Sequence, residues 1–128
     1  MHVERLDHLV LTVKDIDKAV QFYSTVLGME PIHFGDGRLA LKFGEQKINL
    51  HMSGHEFEPK AKNASTGSAD LCFIIDQSID SAITHLLELG VPIIEGPVSR
   101  TGATGPIISA YFRDPDGNLI EVSNYDKK

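Results

Sequence analysis

The sequence predicts an α+β fold made of two βαβββ modules, whose curved mixed sheets leave concave faces free to meet each other or a ligand. Three observations predict it. Residues 27–32 (LGMEPI) align with residues 89–93 (LGVPI) so that Gly28 matches Gly90, and the same offset of 62 residues carries His8 onto Asp70, which indicates an internal duplication. Each half begins with a strand pattern followed by an apolar stripe at helical spacing. Three further strand patterns follow each helix, and the short turns between them permit only antiparallel neighbours.

The first module opens with a strand predicted over residues 6–13, and Asp15 is placed to cap the helix that follows. Gly28 supplies the left-handed residue that ends this helix. The apolar stripe of the helix consists of Ile16, Ala19, Val20, Tyr23, Val26 and Leu27. The remaining strands of the module are predicted over residues 30–34, 38–43 and 46–52.

The second module repeats this order, with a strand over residues 69–75 and a helix that Ser78 caps and Gly90 ends. A polar linker, residues 53–68, joins the two modules. A glycine-bearing loop is predicted over residues 99–105, which either lines a site or is an ordinary turn. The apolar stripe of the second helix consists of Ile79, Ala82, Ile83 and Leu86. The later strands are predicted over residues 91–98, 106–113 and 118–124.

The turn between the last two strands leaves their register open. Residues 114–117 (DPDG) suit the four positions of a type I turn. A strict four-residue turn pairs Ala110 with Glu121, whereas one additional turn residue pairs Tyr111 with Glu121 instead. The second register, which we favour, places Tyr111 on the same sheet face as Glu121.

Length and composition set the limits of the interpretation. A chain of 128 residues is typical of one domain, here predicted over residues 1–128 with module one at about 5–52 and module two at about 69–124. The formal net charge of −6 and the lack of a basic stripe argue against nucleic acid as a partner. The longest apolar run, residues 71–75, is too short to span a membrane.

Cysteine content bears on the compartment. Cys72 is the single cysteine and cannot form an internal disulfide, and the N-terminus lacks the apolar stretch of a signal peptide. A cytoplasmic location is therefore the default expectation. Cys72 falls in the middle of a predicted strand, where we expect an unreactive packing residue.

Three motifs resemble a known family. Residues 7–13 (DHLVLTV) and 19–29 (AVQFYSTVLGM) resemble the first module of the glyoxalase-like proteins of the vicinal-oxygen-chelate superfamily. Residues 112–121 (FRDPDGNLIE) resemble the C-terminal hairpin of those proteins, and the likeness runs from about residue 5 to residue 124. Residues 48–51 (INLH) and 67–73 (GSADLCF) look closest to the glyoxalase domain-containing protein 5 group.

The resemblance implies a metal site in a cup formed by the modules. Carried over residue by residue, His8 matches the first-strand ligand of module one, Asp70 that of module two, and Glu121 the last-strand ligand of module two. Asn49 stands where four-ligand glyoxalases carry glutamate, and a neutral amide is a poor ligand for a divalent transition metal. One imidazole and two carboxylates suit Mn²⁺, Fe²⁺, Zn²⁺ or Ni²⁺.

Each of these residues also has a plainer interpretation. His8 could be an ordinary strand histidine, Asp70 could close a turn, and Glu121 could face solvent on an edge strand. His51 lies two residues after Asn49, hence on the same strand face, and is a candidate alternative ligand or acid/base group.

Two residues near the hairpin are expected to contact the substrate. Tyr111 and Glu121 have the spacing found in fosfomycin-thiol transferases, where the tyrosine faces the substrate. Arg113 follows Tyr111 by two residues and is the second expected substrate contact.

The resemblance implies a small homodimeric metalloenzyme. Its metal would polarise two neighbouring oxygens of a small molecule or of its thiol adduct, with Glu121 and His51 as the groups that move protons. Alternatives within the superfamily are a ring-cleaving dioxygenase, a thiol transferase, and a metal-free protein that sequesters a small molecule as the bleomycin-resistance members do. Fold alone does not choose among them.

Overall fold

The computed structural model describes residues 1–125, which fall into two compact units. Unit 1 is Met1–Gly67 and unit 2 is Ser68–Lys128, the second described as far as Tyr125. Each unit contains one helix and one four-stranded mixed sheet, which confirms the predicted α+β class and the duplication. No helix in the described residues is both long and apolar enough to cross a membrane.

Unit 1 has the strand order β1-β4-β3-β2, with β1 parallel to β4 and the other pairs antiparallel. The parallel pair requires a crossover, which the helix provides, whereas short turns are enough for the antiparallel pairs. The three later strands have the bounds predicted from the sequence, and the first strand begins two residues later than predicted. The elements are β1 (His8–Val13), α1 (Ile16–Leu27), β2 (Glu30–Phe34), β3 (Arg38–Phe43) and β4 (Gln46–Met52).

Unit 2 repeats the same topology with the order β5-β8-β7-β6, in which only β5 and β8 are parallel. Its elements are β5 (Asp70–Ile74), α2 (Ile79–Glu88), β6 (Glu95–Thr101), β7 (Pro106–Arg113) and β8 (Leu119–Tyr125).

Both helices begin where the sequence predicts, and α1 ends at Gly28 as expected, whereas α2 ends at Glu88, two residues before Gly90. The Asp15 side chain accepts a hydrogen bond from the Lys18 amide at 3.1 Å, and the Ser78 hydroxyl accepts one from the Ser81 amide at 3.2 Å. Each cap satisfies an amide that the first helical turn leaves unpaired, and is worth about 1 kcal/mol. Gly28 ends α1 with φ of +67°, in the left-handed region that favours glycine.

Alternation along each strand gives each sheet two faces. The face that packs against the helix is apolar; in unit 1 it contains Leu11, Val13, Leu41, Ile48 and Leu50, all buried. Burying each such side chain contributes about 1.5–3 kcal/mol. We call the opposite face the open face. In unit 1 it carries His8, Thr12, Phe34, Arg38, Lys47, Asn49 and His51, and in unit 2 Asp70, Cys72, Ser109, Tyr111, Arg113, Glu121 and Ser123.

The prediction for the segment after α2 was wrong in two respects. A strand was expected over residues 91–98, but β6 begins at Glu95. A loop was predicted over residues 99–105, but β6 continues to Thr101, so the loop consists only of residues 102–105. The Val91 amide donates to the Leu86 carbonyl at 2.9 Å, so it is bonded to the end of α2 and not to a neighbouring strand. The ladder to β7 also shifts register between Glu95 and Val98, which hides the strand from a test of simple alternation.

Candidate functional site

Glu121 lies at the centre of a hydrogen-bonded cluster on the open face of unit 2. The Ser109 hydroxyl, fully buried, donates to Glu121 Oε2 at 2.6 Å, and its oxygen lies 2.7 Å from the Ser123 hydroxyl. Because each hydroxyl has one hydrogen, the bond to the carboxylate leaves Ser109 to accept from Ser123. The Cys72 sulfur lies 3.3 Å from the Ser123 oxygen at the far end of this series. The series of donors therefore ends at a carboxylate held in one orientation.

Tyr111 lies directly opposite Glu121 on the neighbouring strand, which confirms the register with one additional turn residue. The turn holds because the Asp114 carboxylate accepts from the amides of Asp116 and Asn118, each at 2.9 Å. Burial is the largest cause that raises the pKa of Tyr111, and the nearby Glu121 carboxylate raises it further. The phenol therefore stays protonated at neutral pH and remains a hydrogen-bond donor.

Arg100 is a member of this cluster that the sequence interpretation missed. Its Nε donates to the Tyr111 hydroxyl at 3.0 Å, and its Nη2 lies 3.2 Å from Glu95 Oε1. The residue was assigned to a loop, whereas it lies on β6. The alternation of Val98 and Arg100 in the sequence was the available signal, and the predicted loop obscured it.

Asp70, Cys72 and Arg113 border the cluster on the same face. Asp70 is the exposed first residue of β5, and Cys72 is the register partner of Glu121. Cys72 is exposed, so the expectation of a packed cysteine was wrong. The pKa of its thiol is nevertheless raised, and the largest cause is the burial of part of the side chain. Arg113 is exposed and donates to the Gly117 carbonyl at 3.2 Å, which holds it against the hairpin turn.

His8 begins β1 on the open face of unit 1. Its Nδ1 lies 2.8 Å from Asp7 Oδ1, and the side chain is 45% exposed. This hydrogen bond is the main cause that lowers the pKa of the Asp7 carboxyl. A carboxylate on one ring nitrogen fixes the tautomer and orients the other nitrogen, as is usual for histidines that bind metals.

Asn49 is buried in the same face with one atom unsatisfied. The residue is 5% exposed, and among the described residues its Oδ1 has no hydrogen-bond partner. A buried carbonyl oxygen without a partner costs about 1–3 kcal/mol, so such atoms are rare unless a donor or a cation arrives from a ligand. The atom is available to a ligand on this face.

His51 lies two residues further along β4, 3% exposed, and accepts a hydrogen bond from Arg38 Nη2 at 3.3 Å. Arginine only donates, so Nε2 is the unprotonated nitrogen of the ring. Burial is the largest cause that lowers the pKa of His51, and the positive charge of Arg38 adds to it. His51 is therefore a neutral imidazole at physiological pH.

The structure thus groups the predicted residues in two sets. Unit 1 carries His8 and His51, and unit 2 carries Asp70, Tyr111, Arg113 and Glu121. Within neither unit do three His, Cys, Asp or Glu side chains of the described residues form a cluster that could hold a metal. The ligand set of His8, Asp70 and Glu121 draws on both units and stays a prediction. Its donor chemistry fits a divalent transition metal, and on the His8 face the Asn49 Oδ1 atom has no partner among the described residues, so it is free to accept from a ligand.

Comparison with known proteins gives a family match over most of the chain. The family model of the glyoxalase/bleomycin resistance protein/dioxygenase superfamily matches residues 5–122. The chain is 59% identical to glyoxalase domain-containing protein RDO1 of Mycosarcoma maydis over 125 residues, which cover 98% of this chain and 70% of that protein. It is 56% identical to virulence protein STM3117 of Salmonella typhimurium, over 98% of this chain and 87% of that protein.

More distant relatives have names that specify an activity. Metallothiol transferase FosB of Shouchella clausii is 31% identical over 94% of this chain and 80% of its own length.

Among solved structures, virulence protein STM3117 superposes with a TM-score of 0.97, covering 98% of this chain and 100% of that one. Lactoylglutathione lyase from Agrobacterium tumefaciens is 26% identical with a TM-score of 0.74, covering 96% of this chain and 95% of that one.

Proposed function

The chain belongs to the glyoxalase/bleomycin resistance protein/dioxygenase superfamily, and from that premise we propose that it is a metal-dependent, glyoxalase-like enzyme of lyase or isomerase type. Its substrate would be a small oxygenated molecule or the thiol adduct of one. The observation that carries the proposal is the Glu121 carboxylate, fixed on an open sheet face by Ser109 and paired with a protonated Tyr111. A carboxylate oriented in this way suits proton transfer or metal binding more than packing.

His8, Asp70 and Glu121 would hold the metal, as Mn²⁺, Fe²⁺, Zn²⁺ or Ni²⁺. His8 would come from unit 1 and the two carboxylates from unit 2, of the same chain or of a second copy. The ion would supply Lewis-acid polarisation of two neighbouring oxygens. The hydrogen bond between Asp7 and His8 supports this assignment, because it prepares the second imidazole nitrogen for a ligand role.

Side chains of the protein would carry out proton transfer and substrate binding. Glu121 would accept a proton from the substrate, and the hydrogen bond from Ser109 would hold its carboxylate in position to do so. Tyr111 would donate to a substrate oxygen, with Arg100 setting the position of its hydroxyl. His51, as a neutral imidazole, would serve as a second acid/base group, and Arg113 would contact the substrate at the hairpin.

Metal titration of variants tests the assignment. His8→Ala and Glu121→Ala should each weaken the binding of Mn²⁺ or Zn²⁺ by about 100-fold or more while leaving a folded protein. His33→Ala and Glu88→Ala are matched controls, since both residues are exposed and lie outside the proposed site. Calorimetric titrations with unchanged affinity in both site variants would overturn the ligand assignment.

A thiol transferase of the same superfamily is the second candidate. Two findings favour it: the Tyr111–Glu121 pairing in β7 and β8, and the relationship to a protein named metallothiol transferase at 31% identity. The two activities leave different products. The lyase would convert the adduct of glutathione and methylglyoxal to a thioester, whereas the transferase would consume an electrophile such as an epoxide and form a thioether. The thioester has the same mass as the adduct and is followed by its ultraviolet absorbance, whereas the thioether is detected by mass spectrometry of the epoxide mixture.

We also propose that the two modules act as one domain, with module one at about 5–52, the linker at 53–68 and module two at about 69–124. The chain would work as a homodimer that binds a small molecule, and the cytoplasm is the compartment we expect. The motifs at residues 48–51 and 67–73 support the proposal that it belongs to the glyoxalase domain-containing protein 5 group.

A further inference from the structure

Arg38, at the start of β3, lies on the open face of unit 1 and is held by three side chains, two from that face and one from the linker. Its guanidinium carbon lies 5.0 Å from the centre of the Phe34 ring and 4.7 Å from the centre of the Phe57 ring. Its Nη2 donates to the unprotonated Nε2 of His51 at 3.3 Å, and the His51 ring contacts Phe57 edge to face, with 5.5 Å between the ring centres. A long, flexible side chain is thereby restricted to one orientation before any ligand arrives.

The charge of Arg38 has no counterion among residues 1–125. Among the described residues no carboxylate oxygen lies within 4.0 Å of its guanidinium, although the side chain is half-buried. Of its five N–H hydrogens, one is used by His51 and the structure gives the others no acceptor in the described residues. A second cation is close by, because Lys47 Nζ lies 3.5 Å from the centre of the same Phe34 ring. In the described part of the chain, Lys47 Nζ also has no carboxylate oxygen within 4.0 Å.

These cations stand out because the protein as a whole is acidic, with a net charge of −6. A guanidinium that only stabilised the fold would be expected to face one of the 18 carboxylate side chains. This one is paired with a neutral imidazole and two aromatic rings, which position it without neutralising it. The arrangement leaves both the charge and most of the donors for an anion.

We propose that Arg38 binds the carboxylate group of the small-molecule ligand on the open face of unit 1. A carboxylate is favoured over a phosphate because a single planar guanidinium fork matches two coplanar oxygens. Phosphate sites commonly add a helix N-terminus, but α1 packs against the opposite face and Asp15 already caps it. The inference rests on the proposed function in that it narrows the substrate to an oxygenated carboxylic acid.

The test compares lactate with its neutral amide, lactamide, on protein that a chelating resin has freed of metal. Two-dimensional ¹⁵N NMR follows the Nε–Hε signal of Arg38, assigned from its loss in Arg38→Gln. Lactate should shift this signal with a dissociation constant on the order of millimolar, and lactamide should not. Equal shifts with the two compounds, or none with either, would overturn the proposal.

Variants distinguish bidentate binding by the planar Arg38 guanidinium from attraction by its positive charge alone. Binding to the variants is followed by the backbone amide signals of β3, which all of them keep. Arg38→Gln should weaken lactate binding at least tenfold, and Arg38→Lys should recover only part of it because the ammonium lacks the planar fork. Arg5→Gln removes the same charge from an exposed position of the same unit and should leave binding unchanged. Phe57→Leu, which removes one ring from the guanidinium, should weaken binding several-fold. Unchanged binding in both Arg38→Gln and Phe57→Leu would exclude this site.

Two further arms complete the experiment. Inorganic phosphate is titrated in parallel, and a stronger shift of Arg38 by phosphate than by lactate would overturn the assignment to a carboxylate. The absence of metal keeps this test independent of the metal-site proposal. If lactate binds at Arg38 while the metal titrations fail, the carboxylate site stands and the metal-dependent function falls.

Discussion

Asn49→Leu should leave the metal-free protein at least as stable as the parent chain, although the residue is 5% exposed. The reason is the Asn49 Oδ1 atom, which is buried with no partner among the described residues. An unsatisfied buried carbonyl costs about 1–3 kcal/mol, and leucine fills a similar volume without one. We expect the free energy of unfolding to rise by about 1 kcal/mol, which corresponds to about 4 °C in Tm for a chain of this length. Most substitutions of buried residues lower stability, so the sign itself is informative.

Urea denaturation followed by circular dichroism, with metal removed from both proteins, measures this difference. Asn49→Asp is the matched comparison, because it keeps the shape but places a carboxylate at the same buried point. Burial raises the pKa of such a carboxyl, so Asn49→Asp should match the parent below the ordinary aspartate pKa of about 3.9 and lose stability as the pH rises. A loss of more than about 1 kcal/mol in Asn49→Leu would show that Oδ1 has a partner in the folded protein, and the inference of a ligand-facing atom would be refuted.

Three further predictions concern pH, activity and assembly. The pKa of folded His51 lies below its ordinary value of 6.5, so the unfolded chain takes up this proton first as the pH falls. Unfolding free energy should therefore decline below pH 6.5 by at most about 1.4 kcal/mol per pH unit from this group, and His51→Gln should flatten that decline in urea titrations. If unfolding free energy fell equally steeply with pH in His51→Gln, this role of His51 would be contradicted. Lactoylglutathione lyase turnover with Ni²⁺, Zn²⁺ or Mn²⁺ should be poor, below about 10 per second, and should rise in Asn49→Glu; fast turnover in the parent chain would show that the amide does not limit the site. Light scattering at micromolar concentration should give a homodimer, and a monomer would rule out a site shared across chains.

Much of the fold was predictable because its signals are local. The strands of unit 1 after α1 end at turns rich in glycine, and alternation between those turns fixes their bounds. The helix caps at Asp15 and Ser78 depend only on a side chain and an amide three residues later. Alternating side chains, glycine-rich turns and helix caps depend on neighbouring residues alone, so they can be recognised without knowledge of the tertiary fold.

The incorrect and missing predictions concern features that depend on contacts between residues far apart in the sequence. The start of β6 depends on its pairing with β7 across a register shift, which no window of sequence contains. Residues on known strands could be assigned to a face, so the shared face of His51 and Asn49 was predictable. Phe57 lies in the irregular linker, and its contact with the Arg38 guanidinium follows only from the folded path of that segment.

The site itself was predicted as a set of candidates and not as a set of contacts. The register of Tyr111 against Glu121 was one of two open possibilities, and the structure decided it. The roles of Ser109 and Arg100 could not be read from sequence, because serine and arginine are common on exposed strand faces. Their importance comes from the 2.6 Å and 3.0 Å hydrogen bonds that they make in the fold.

The metal content of the full chain, purified without chelators, tests the central claim most directly. Elemental mass spectrometry should find about one divalent transition-metal ion per chain in the parent protein, and far less in His8→Ala and Glu121→Ala. Refilling the emptied parent with Mn²⁺, Fe²⁺, Zn²⁺ or Ni²⁺ should restore that stoichiometry. A parent protein that carries and takes up no more metal than these two variants would contradict the account.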